Sequence, residues 1–487
     1  MKHNKEKEIK SYDDVIKRLQ FIESNIDLRL FNYEDVDLWP LLKSQIAIKC
    51  FDRLEKRKDK LGTHWQRVYL KLKLLYKNKL FRTLMDIFFV KEEKFSYEET
   101  KYLFLSDEYS KRVPVENLWI DVFIYPFISI KSIADDEYVI LRSNQNQSKI
   151  KKPFLNEINI SSLVLRSFIE SKIIFKKNNR NLNLIFNEIK NMFEFDGMNN
   201  NFPSFEDLIS EAKFIYKLSL KFEKILLKVM PDEVVVTHYL GYVTAGICIA
   251  SKRLGIKVSD IQHGVQSSLH PAYNFRRYPT KGFTTTPNKY YVWNKNDFNN
   301  ISLWNDSESI PEIEVIGNPV KYLVEKDERM IKMFISDFKS SFKHHIKKQL
   351  VLITLCWSYY ISDIFLEVIL KADKDTFFLI RFHPSTPEYE KKEVIERLFK
   401  LNKNNFEYEK SSELPLHIIF KHIDIHISEV STAIPEGLEY GIKTIATGNR
   451  AKAYYKNLDK YEGLIFSDSS EHISNIIINN RKGRDNF

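Results

Sequence analysis

The sequence has little cysteine and no long uninterrupted apolar run. Cys50, Cys248 and Cys356 are the three cysteines among 487 residues. An odd number of widely spaced cysteines argues against a disulfide framework and a cysteine-rich zinc site. The lysine-rich amino terminus is not followed by an apolar segment, and the apolar stretch 234–250 is short and interrupted by polar residues and glycines. The pattern therefore predicts neither a signal peptide nor a membrane-spanning helix and favours a cytoplasmic location.

Four catalytic signatures are also missing. The chain contains no G-x-x-x-x-G-K-[ST], G-x-G-x-x-G, H-E-x-x-H or G-x-S-x-G segment. Nucleotide hydrolysis by a P-loop, dinucleotide redox chemistry, zinc proteolysis and lipase-type catalysis therefore lack support. Asp135 and Asp136 are adjacent carboxylates, but no residue near them in the sequence completes a coordination sphere. We predict no bound metal and no cofactor.

The length of the chain indicates more than one domain. Of the 487 residues, 43% are hydrophobic and 14% are aromatic, which is enough for a sizeable core. Single cores stop growing at roughly 250–300 residues. Two or three folded domains are therefore expected.

The positive charge is concentrated towards the amino terminus. The net charge is +10, and residues 53–82 contain eleven Lys or Arg against two acids, with leucine and aromatic residues between them. A basic amphipathic helix of this kind can lie on an anionic membrane surface. A solvated helix packed on its own domain is the alternative. Nucleic-acid binding is a third interpretation, but no nucleic-acid-binding motif accompanies the charge, so we predict no nucleic-acid partner.

Alternating strand and helix patterns occupy the chain after this basic region. Apolar runs such as 233–237, 349–355 and 376–381 are each followed by polar residues and then by a segment with helical periodicity. This repetition is typical of parallel sheets with helices on their faces. The predicted fold class is therefore α/β, with two Rossmann-like domains facing a cleft.

Sequence patterns along the chain also suggest where the predicted domains begin and end. The first part of the chain has helical periodicity with almost no Gly or Pro. We predict a helical basic extension over 1–95, a first Rossmann-like domain over 96–325 and a second over 326–487.

Short polar motifs follow several predicted strands. The carboxyl ends of parallel strands meet at one edge of a sheet, so these motifs are expected to line a ligand crevice. Imidazole, guanidinium, hydroxyl and amide groups collected there suit an anionic ligand. In chain order the candidate residues are His263, Gly317, Asn318, Arg381, His383, Ser428, Ser431, Thr432 and Glu436.

The histidine and arginine candidates each have a structural alternative. In one interpretation His263 acts as a base, a phosphate ligand or a metal ligand. In the other it is a structural residue in the turn before Gly264. Arg381 and His383 lie on the same face of a predicted strand and suit a pyrophosphate. The alternative for His383 is an ordinary surface loop containing a His-Pro pair.

The hydroxyl and carboxylate candidates also have two interpretations. Ser428, Ser431 and Thr432 lie between a predicted strand and a helix beginning near Ala433. They form an anion site with the helix amino terminus, or Ser431 or Thr432 only caps that helix. Glu436 accepts hydrogen bonds from ribose hydroxyls, or only complements the helix dipole.

The order of these motifs resembles a known enzyme group. Gln262-His263-Gly264, Gly317-Asn318-Pro319, Arg381-Phe382-His383-Pro384 and Ser428-Glu429-Val430-Ser431 are similar to the motifs of GT-B-type transferases of bacterial surface polysaccharide synthesis. Within that group the chain resembles capsule and lipopolysaccharide glycosyltransferases, bacterial sialyltransferases and CDP-glycerol glycerophosphotransferases. The likeness spans about residues 232–448.

The resemblance implies specific roles for the candidate residues. His383, Ser431 and Thr432 would hold the phosphates of a nucleotide-sugar donor, and Glu436 would meet its ribose. His263 would lie near the acceptor as a base or positioning group, with Asp107 as a second candidate for the base.

The predicted function is glycosyl transfer, without a metal, from a nucleotide-sugar to a glycan or lipid-linked acceptor at the inner membrane surface. A CDP-polyol phosphotransferase and a UDP-sugar 2-epimerase are the enzymatic alternatives, and a non-catalytic scaffold is a third class. Gln262 directly before His263, and Arg381 in place of a lysine, depart from the glycerophosphotransferase pattern and argue against polyol phosphate transfer.

Overall fold

The computed structural model describes most of the chain. The described residues are 9–54, 99–106, 112–115, 118–143, 157–173, 179–193, 202–303, 310–326, 328–356, 360–383, 386–455 and 462–482. Nearly all of the basic segment 53–82, and the candidate base Asp107, lie outside them.

The strands are two to six residues long. In chain order they are β1 (Asn32–Tyr33), β2 (Val36–Asp37), β3 (Tyr102–Ser106), β4 (Arg112–Val115), β5 (Leu118–Asp121), β6 (Tyr138–Arg142), β7 (Glu157–Asn159), β8 (Glu233–Val236), β9 (Lys257–Ile261), β10 (Lys289–Val292), β11 (Glu312–Val315), β12 (Gln349–Thr354), β13 (Thr376–Arg381), β14 (Phe406–Glu407), β15 (Ile425–Ser428), β16 (Lys443–Ala446) and β17 (Leu464–Phe466).

Helices connect most of these strands. They are α1 (Tyr12–Asn25), α2 (Trp39–Leu54), α3 (Ile124–Lys131), α4 (Ser161–Ile173), α5 (Arg180–Phe193), α6 (Phe205–Val229), α7 (Tyr242–Arg253), α8 (Lys295–Ser302), α9 (Pro319–Lys326), α10 (Glu328–Phe342), α11 (Asp363–Lys371), α12 (Glu388–Phe399), α13 (Lys410–Glu413), α14 (Leu416–Phe420), α15 (Ala433–Glu439), α16 (Gly448–Tyr454) and α17 (Ser470–Lys482).

The described chain forms two compact units. The first comprises the described residues within Met1–Ser110 and Phe127–Gly317, and the second those within Lys111–Pro126 and Asn318–Phe487. Each unit contains one parallel sheet with its own core. The predicted fold class of two Rossmann-like domains is confirmed by these two sheets.

The first unit has a seven-stranded sheet. Its strand order is β11-β10-β9-β8-β3-β6-β7, with neighbouring strands parallel throughout. The chain starts in the middle at β3, adds strands to one side and then returns to add strands on the other side of β3. The point of reversal lies between β3 and β8, which is where open α/β sheets bind their ligands.

The second unit repeats this topology with six strands. The order is β14-β13-β12-β15-β16-β17, again parallel throughout. Numbered by chain order this is the 3-2-1-4-5-6 arrangement of nucleotide-binding doubly wound sheets. Its point of reversal lies between β12 and β15.

Period-2 alternation explains the double-sided packing of the second sheet. Val351 and Ile353 of β12 lie in one buried apolar cluster with Ile425 and Ile427 of β15 and with residues of α11 and α17. The side chains between them point to the other face, so both faces of the sheet are covered and every residue of β12 is buried.

The amino-terminal helices are part of the first unit. Asp37 contacts Thr284, Asp35 pairs with Arg253, and Gln45 donates to Glu211 at 2.7 Å. These contacts tie residues 9–54 to α6, α7 and the loop before β10. The described part of 1–95 therefore packs on the first unit, and the predicted helical extension over 1–95 stays a prediction.

The main division between the two units falls between Gly317 and Asn318. The second unit also includes the β4–β5 hairpin, and the predicted domain bounds stay a prediction. Gly317 has a φ of +83°, which ordinary L residues rarely adopt. Asn318 then caps α9 by accepting hydrogen bonds from the backbone of Val320 and Lys321.

A second glycine permits close helix packing in the first unit. Helices α6 and α7 cross where Gly246 faces Leu218, and a Cβ added to Gly246 would lie 2.7 Å from the Leu218 Cβ. This separation is shorter than any ordinary carbon–carbon contact. Gly246 is therefore required by the approach of the two helices.

Candidate functional site

The candidate site lies at the strand reversal of the second sheet. There the carboxyl ends of β12 and β15 are neighbours, with Thr354 paired to Ser428 in the parallel register. β13 adjoins β12 on the other side, so its end lies two strand spacings, about 10 Å, from the end of β15. The predicted motifs around Arg381, Ser428 and Ser431 therefore meet at one edge of this sheet.

A chain of hydrogen bonds joins the two central strand ends. The Thr354 Oγ1 donates to Ser428 Oγ at 2.8 Å, and Ser428 Oγ donates to the Thr354 carbonyl at 3.0 Å. His426 Nε2 lies 2.9 Å from the same Thr354 Oγ1. Because the threonine proton is used towards Ser428, the His426 Nε2 carries a hydrogen and donates it to Thr354. The Ser428 hydroxyl, a predicted ligand, is thus engaged between two strands.

His426 is a neutral structural histidine. It is fully buried in the middle of β15, and burial lowers its pKa to about 3. Its Nδ1 faces α15, where a Cβ added to Gly437 would lie 3.4 Å away. Among the described residues Nδ1 has no hydrogen-bond partner. A proton on this ring would place an unpaired charge in the core.

Arg381 occupies a buried position at the end of β13. Its Nη1 donates to the carbonyls of Ser411 and Leu414, the latter at 2.6 Å. Burial lowers the pKa of the guanidinium to about 10, while the charge of Glu436 acts in the opposite direction. Arg381 is therefore a cation at neutral pH that holds the segment after β14 and interacts electrostatically with Glu436. A direct contact of Arg381 with phosphate stays a prediction.

Glu436 lies in a buried polar cluster that joins three parts of the sequence. Its Oε2 is 3.1 Å from Nε2 of His417, and both side chains are nearly excluded from solvent. Asn318 Nδ2 lies 3.4 Å from the same imidazole nitrogen. His417 comes from α14, Glu436 from α15 and Asn318 from the start of α9. No sequence motif indicated His417.

The loop between β15 and α15 is held by a tyrosine. The backbone N–H of Ser431 donates to the Tyr455 hydroxyl at 3.0 Å, and that hydroxyl donates to the Ser431 carbonyl at 2.7 Å. The Ser431 Oγ accepts from the N–H of Ala433, the first residue of α15, at 3.2 Å. Thr432 precedes α15, and its side chain makes no capping hydrogen bond.

His383 and Cys356 complete the strand-end loops. His383 is half-buried two residues beyond β13, and its carbonyl accepts a hydrogen bond from the Thr386 N–H, which closes a turn. Cys356 follows β12, and its thiol lies 3.3 Å from Glu429 Oε2 in the loop after β15. Binding of a ligand by His383 is not tested by these contacts.

The first unit brings together two histidines at neighbouring strand ends. His263 follows β9 and His238 follows β8, and their ring centroids are 4.7 Å apart at an angle of 86°. Gln262 fixes the end of β9, because its Oε1 accepts from the Trp293 N–H at 2.7 Å and its Nε2 donates to Asp297 at 3.0 Å. The role of His263 towards an acceptor stays a prediction.

In the described part of the chain, no group of three or more His, Cys, Asp or Glu side chains is arranged to hold a metal ion. Likewise, none of its helices combines the length and apolar character needed to cross a membrane.

Comparison with solved structures finds similar chains at low sequence identity. The UDP-GlcNAc 2-epimerase from Methanocaldococcus jannaschii is 14% identical with a TM-score of 0.46, and the match covers 78% of this chain and 92% of that one. The UDP-GlcNAc 2-epimerase from Neisseria meningitidis, bound to UDP-GlcNAc, is 14% identical with a TM-score of 0.47, covering 80% and 92%. HepE from Anabaena, in complex with UDP-glucose, is 10% identical with a TM-score of 0.43, covering 80% and 91%.

Sequence comparison adds no relative. No protein-family model matches the chain, and no curated protein matches it. At such identities and TM-scores the likeness to solved structures carries no functional argument. The fold is established by the strand order of the chain itself, which is that of two doubly wound parallel sheets.

Proposed function

We propose that this protein is an enzyme acting on a nucleotide-activated sugar and that its second unit binds the nucleotide. The supporting observation is the group of polar side chains at the strand reversal between β12 and β15. His383 follows β13, Ser431 and Thr432 follow β15, and the Glu436 carboxylate lies in the first turn of α15. Hydroxyl and imidazole donors suit phosphates, and a carboxylate suits ribose hydroxyls.

The surrounding contacts divide these residues into two groups. Ser428 and Arg381 hold the scaffold, since Ser428 bonds to Thr354 and Arg381 to backbone carbonyls. We assign the phosphates to His383, Ser431 and Thr432, and the ribose to Glu436. Backbone fixation of the Ser431 loop by Tyr455 supports this division, because a pre-positioned donor loses less entropy when it binds.

We propose glycosyl transfer to a surface glycan as the reaction. When the bond between sugar and nucleotide breaks, negative charge develops on the leaving phosphate, and donors fixed beside it stabilise the transition state. The acceptor hydroxyl needs a base, and His263 is our first candidate. UDP-sugar 2-epimerisation is the main alternative and is the reaction named for two of the structures compared above. Transfer of a polyol phosphate is the other.

A panel of nucleotides tests the binding proposal. We expect one of UDP, CDP, CMP, GDP and ADP to raise the melting temperature, because a ligand at a hundred times its Kd adds about 2.7 kcal/mol to the stability of the folded state. His383→Ala should weaken binding of that nucleotide about tenfold in calorimetry, since one hydrogen bond to a charged group is lost. His344→Ala, at an exposed histidine, is the matched control.

Activity assays with donors that carry the selected nucleotide then distinguish the three reactions. Release of the nucleotide from its sugar only in the presence of an acceptor glycan identifies a transferase. Inversion at C2 of the sugar without an acceptor identifies an epimerase. Transfer of the polyol phosphate from a CDP-polyol to an acceptor, with release of CMP, identifies the third reaction. If none of the five nucleotides binds, the proposed function is wrong.

We also propose that the protein is cytoplasmic and associates with the inner membrane surface through the basic segment 53–82. The support is the charge of that segment, which carries eleven Lys or Arg and two acids. Each basic residue near an anionic bilayer contributes about 1 kcal/mol of attraction at moderate salt. Replacing six of them by Gln should move the protein from the pellet to the supernatant when it is sedimented with phosphatidylserine vesicles. Equal pelleting of both forms would contradict the proposal.

A further inference from the structure

We propose that His417 is a positioning residue that holds the Glu436 carboxylate in the orientation needed to accept hydrogen bonds from the ribose of the nucleotide. The inference rests on the proposed function and extends it to a residue that no sequence motif includes. It is carried by a contact between two buried side chains. Nε2 of His417 lies 3.1 Å from Oε2 of Glu436, and the two side chains are 1% and 9% exposed.

The hydrogen in this contact belongs to the imidazole. An imidazole lone pair at this distance from a carboxylate would be repelled, so Nε2 carries a hydrogen and donates it to Glu436. The other ring nitrogen, Nδ1, is buried and has no hydrogen-bond partner among the described residues. His417 therefore makes its polar contact with Glu436 through Nε2. Within the described part of the chain, no hydrogen bond at Nδ1 competes with that contact and turns the ring.

Two neighbours restrict the ring further. Asn318 Nδ2, itself a donor, lies 3.4 Å from Nε2 and is a packing neighbour of the ring, and the Asn318 amide is held because its Oδ1 accepts from the backbone of Val320 and Lys321. The ring of Tyr440 packs at 5.6 Å between centroids on the His417 ring. An imidazole enclosed in this way keeps one orientation, and the carboxylate bound to it does too.

The charge of Glu436 is balanced from another direction. Arg381 is a buried cation whose pKa is affected by Glu436, so the carboxylate has a nearby counter-charge. A buried carboxylate without such compensation would be costly. Arg381 therefore supplies a counter-charge and His417 orients the carboxylate, and mutation can separate these two tasks.

The experiment compares two ligands that differ only in their ribose hydroxyls. UDP and 2′,3′-dideoxy-UDP are titrated calorimetrically into the full chain, or the same pair with another base if the nucleotide panel selects one. Hydrogen bonds to a charged carboxylate contribute roughly 1.5–3 kcal/mol, so the wild type should prefer the ribonucleotide by about 10-fold to 100-fold. His417→Phe keeps the ring shape but removes the donor, and should reduce that preference to about threefold or less. Its affinity for the dideoxy ligand should change less than about twofold.

Two further variants distinguish positioning from folding. His417→Gln keeps an N–H that can reach Glu436 and should restore part of the preference. His345→Phe is the matched control, because His345 stacks on Phe377 near the amino end of β13, at the opposite edge of the same sheet. That variant should retain the full preference of the wild type.

The possible failures are distinguishable. Equal weakening of both ligands by His417→Phe would show a purely structural role and overturn the inference. A wild type that binds both ligands equally would show that Glu436 does not meet the ribose, and would overturn it too. If the wild type binds no nucleotide at all, the proposed function fails and the inference fails with it.

Discussion

Replacing Lys43 by methionine is expected to lower the free energy of unfolding of the first unit by about 3–5 kcal/mol. Lys43 Nζ lies 2.7 Å from Glu23 Oε1, and the two side chains are 1% and 0% exposed. Burial lowers the pKa of Lys43, and the charge of Glu23 opposes that shift. The substitution leaves the Glu23 carboxylate buried without a counter-charge. Removing one partner of a buried ion pair destabilises the fold more than replacing both partners.

The other partners of Glu23 explain why it cannot simply move away. Its Oε1 accepts from Trp39 Nε1 at 2.9 Å, and its Oε2 accepts from the Arg276 N–H at 2.6 Å. The carboxylate thus joins α1, α2 and the segment before β10. Loss of the pair should be seen as faster hydrogen exchange of α1 and α2 and as a lower urea midpoint of the first unit.

Two variants control this experiment. Adding Glu23→Gln to Lys43→Met removes the stranded charge and should recover part of the stability, because the amide oxygen still accepts a hydrogen bond. Lys332→Met removes a lysine whose pair with Glu328 is exposed, at 80% and 86%, and should cost less than about 1 kcal/mol. A similar small cost for Lys43→Met would show that the buried pair does not stabilise the fold.

Acidification is expected to destabilise the second unit through His426. Its pKa is about 3 in the folded protein and about 6.5 in the unfolded chain. Between these values the unfolded state binds one more proton than the folded state, so stability rises with pH across this window. The stability contributed by the neutral His426 is fully present above pH 6.5. Below that pH it falls by about 1.4 kcal/mol per pH unit, so that roughly 2 kcal/mol is lost at pH 5.

Urea denaturation at pH 7.5 and pH 5 measures this loss. His426→Gln keeps a donor towards Thr354 but cannot titrate, so the difference between the two pH values should shrink by about 2 kcal/mol relative to the wild type. His344→Gln removes an exposed histidine and should leave the difference unchanged. If His426→Gln shows the wild-type pH dependence, protonation of the buried ring is not responsible for the loss of stability.

The candidate site was predicted in part from local pattern. Apolar runs ending in polar residues located the ends of β12, β13 and β15 to within about two residues, since a strand end is visible as a change in neighbouring residues. His426 was not predicted, although a single polar residue within an apolar strand is a signal for a buried hydrogen bond. His417 and Tyr455 had no such signal, because each comes from a different helical segment of the chain and reaches the site only when the helices pack on the sheet.

The sequence by itself determined the repeated strand and helix elements and hence the α/β class. These features follow from hydrophobic periodicity, which depends only on residues close together in the chain. It did not determine that residues 9–54 belong to the first unit, or that His417 meets Glu436 and Lys43 meets Glu23. Those pairings join distant segments, and only the strand order and the packing of helices on the sheets decide which distant side chains come within hydrogen-bond distance.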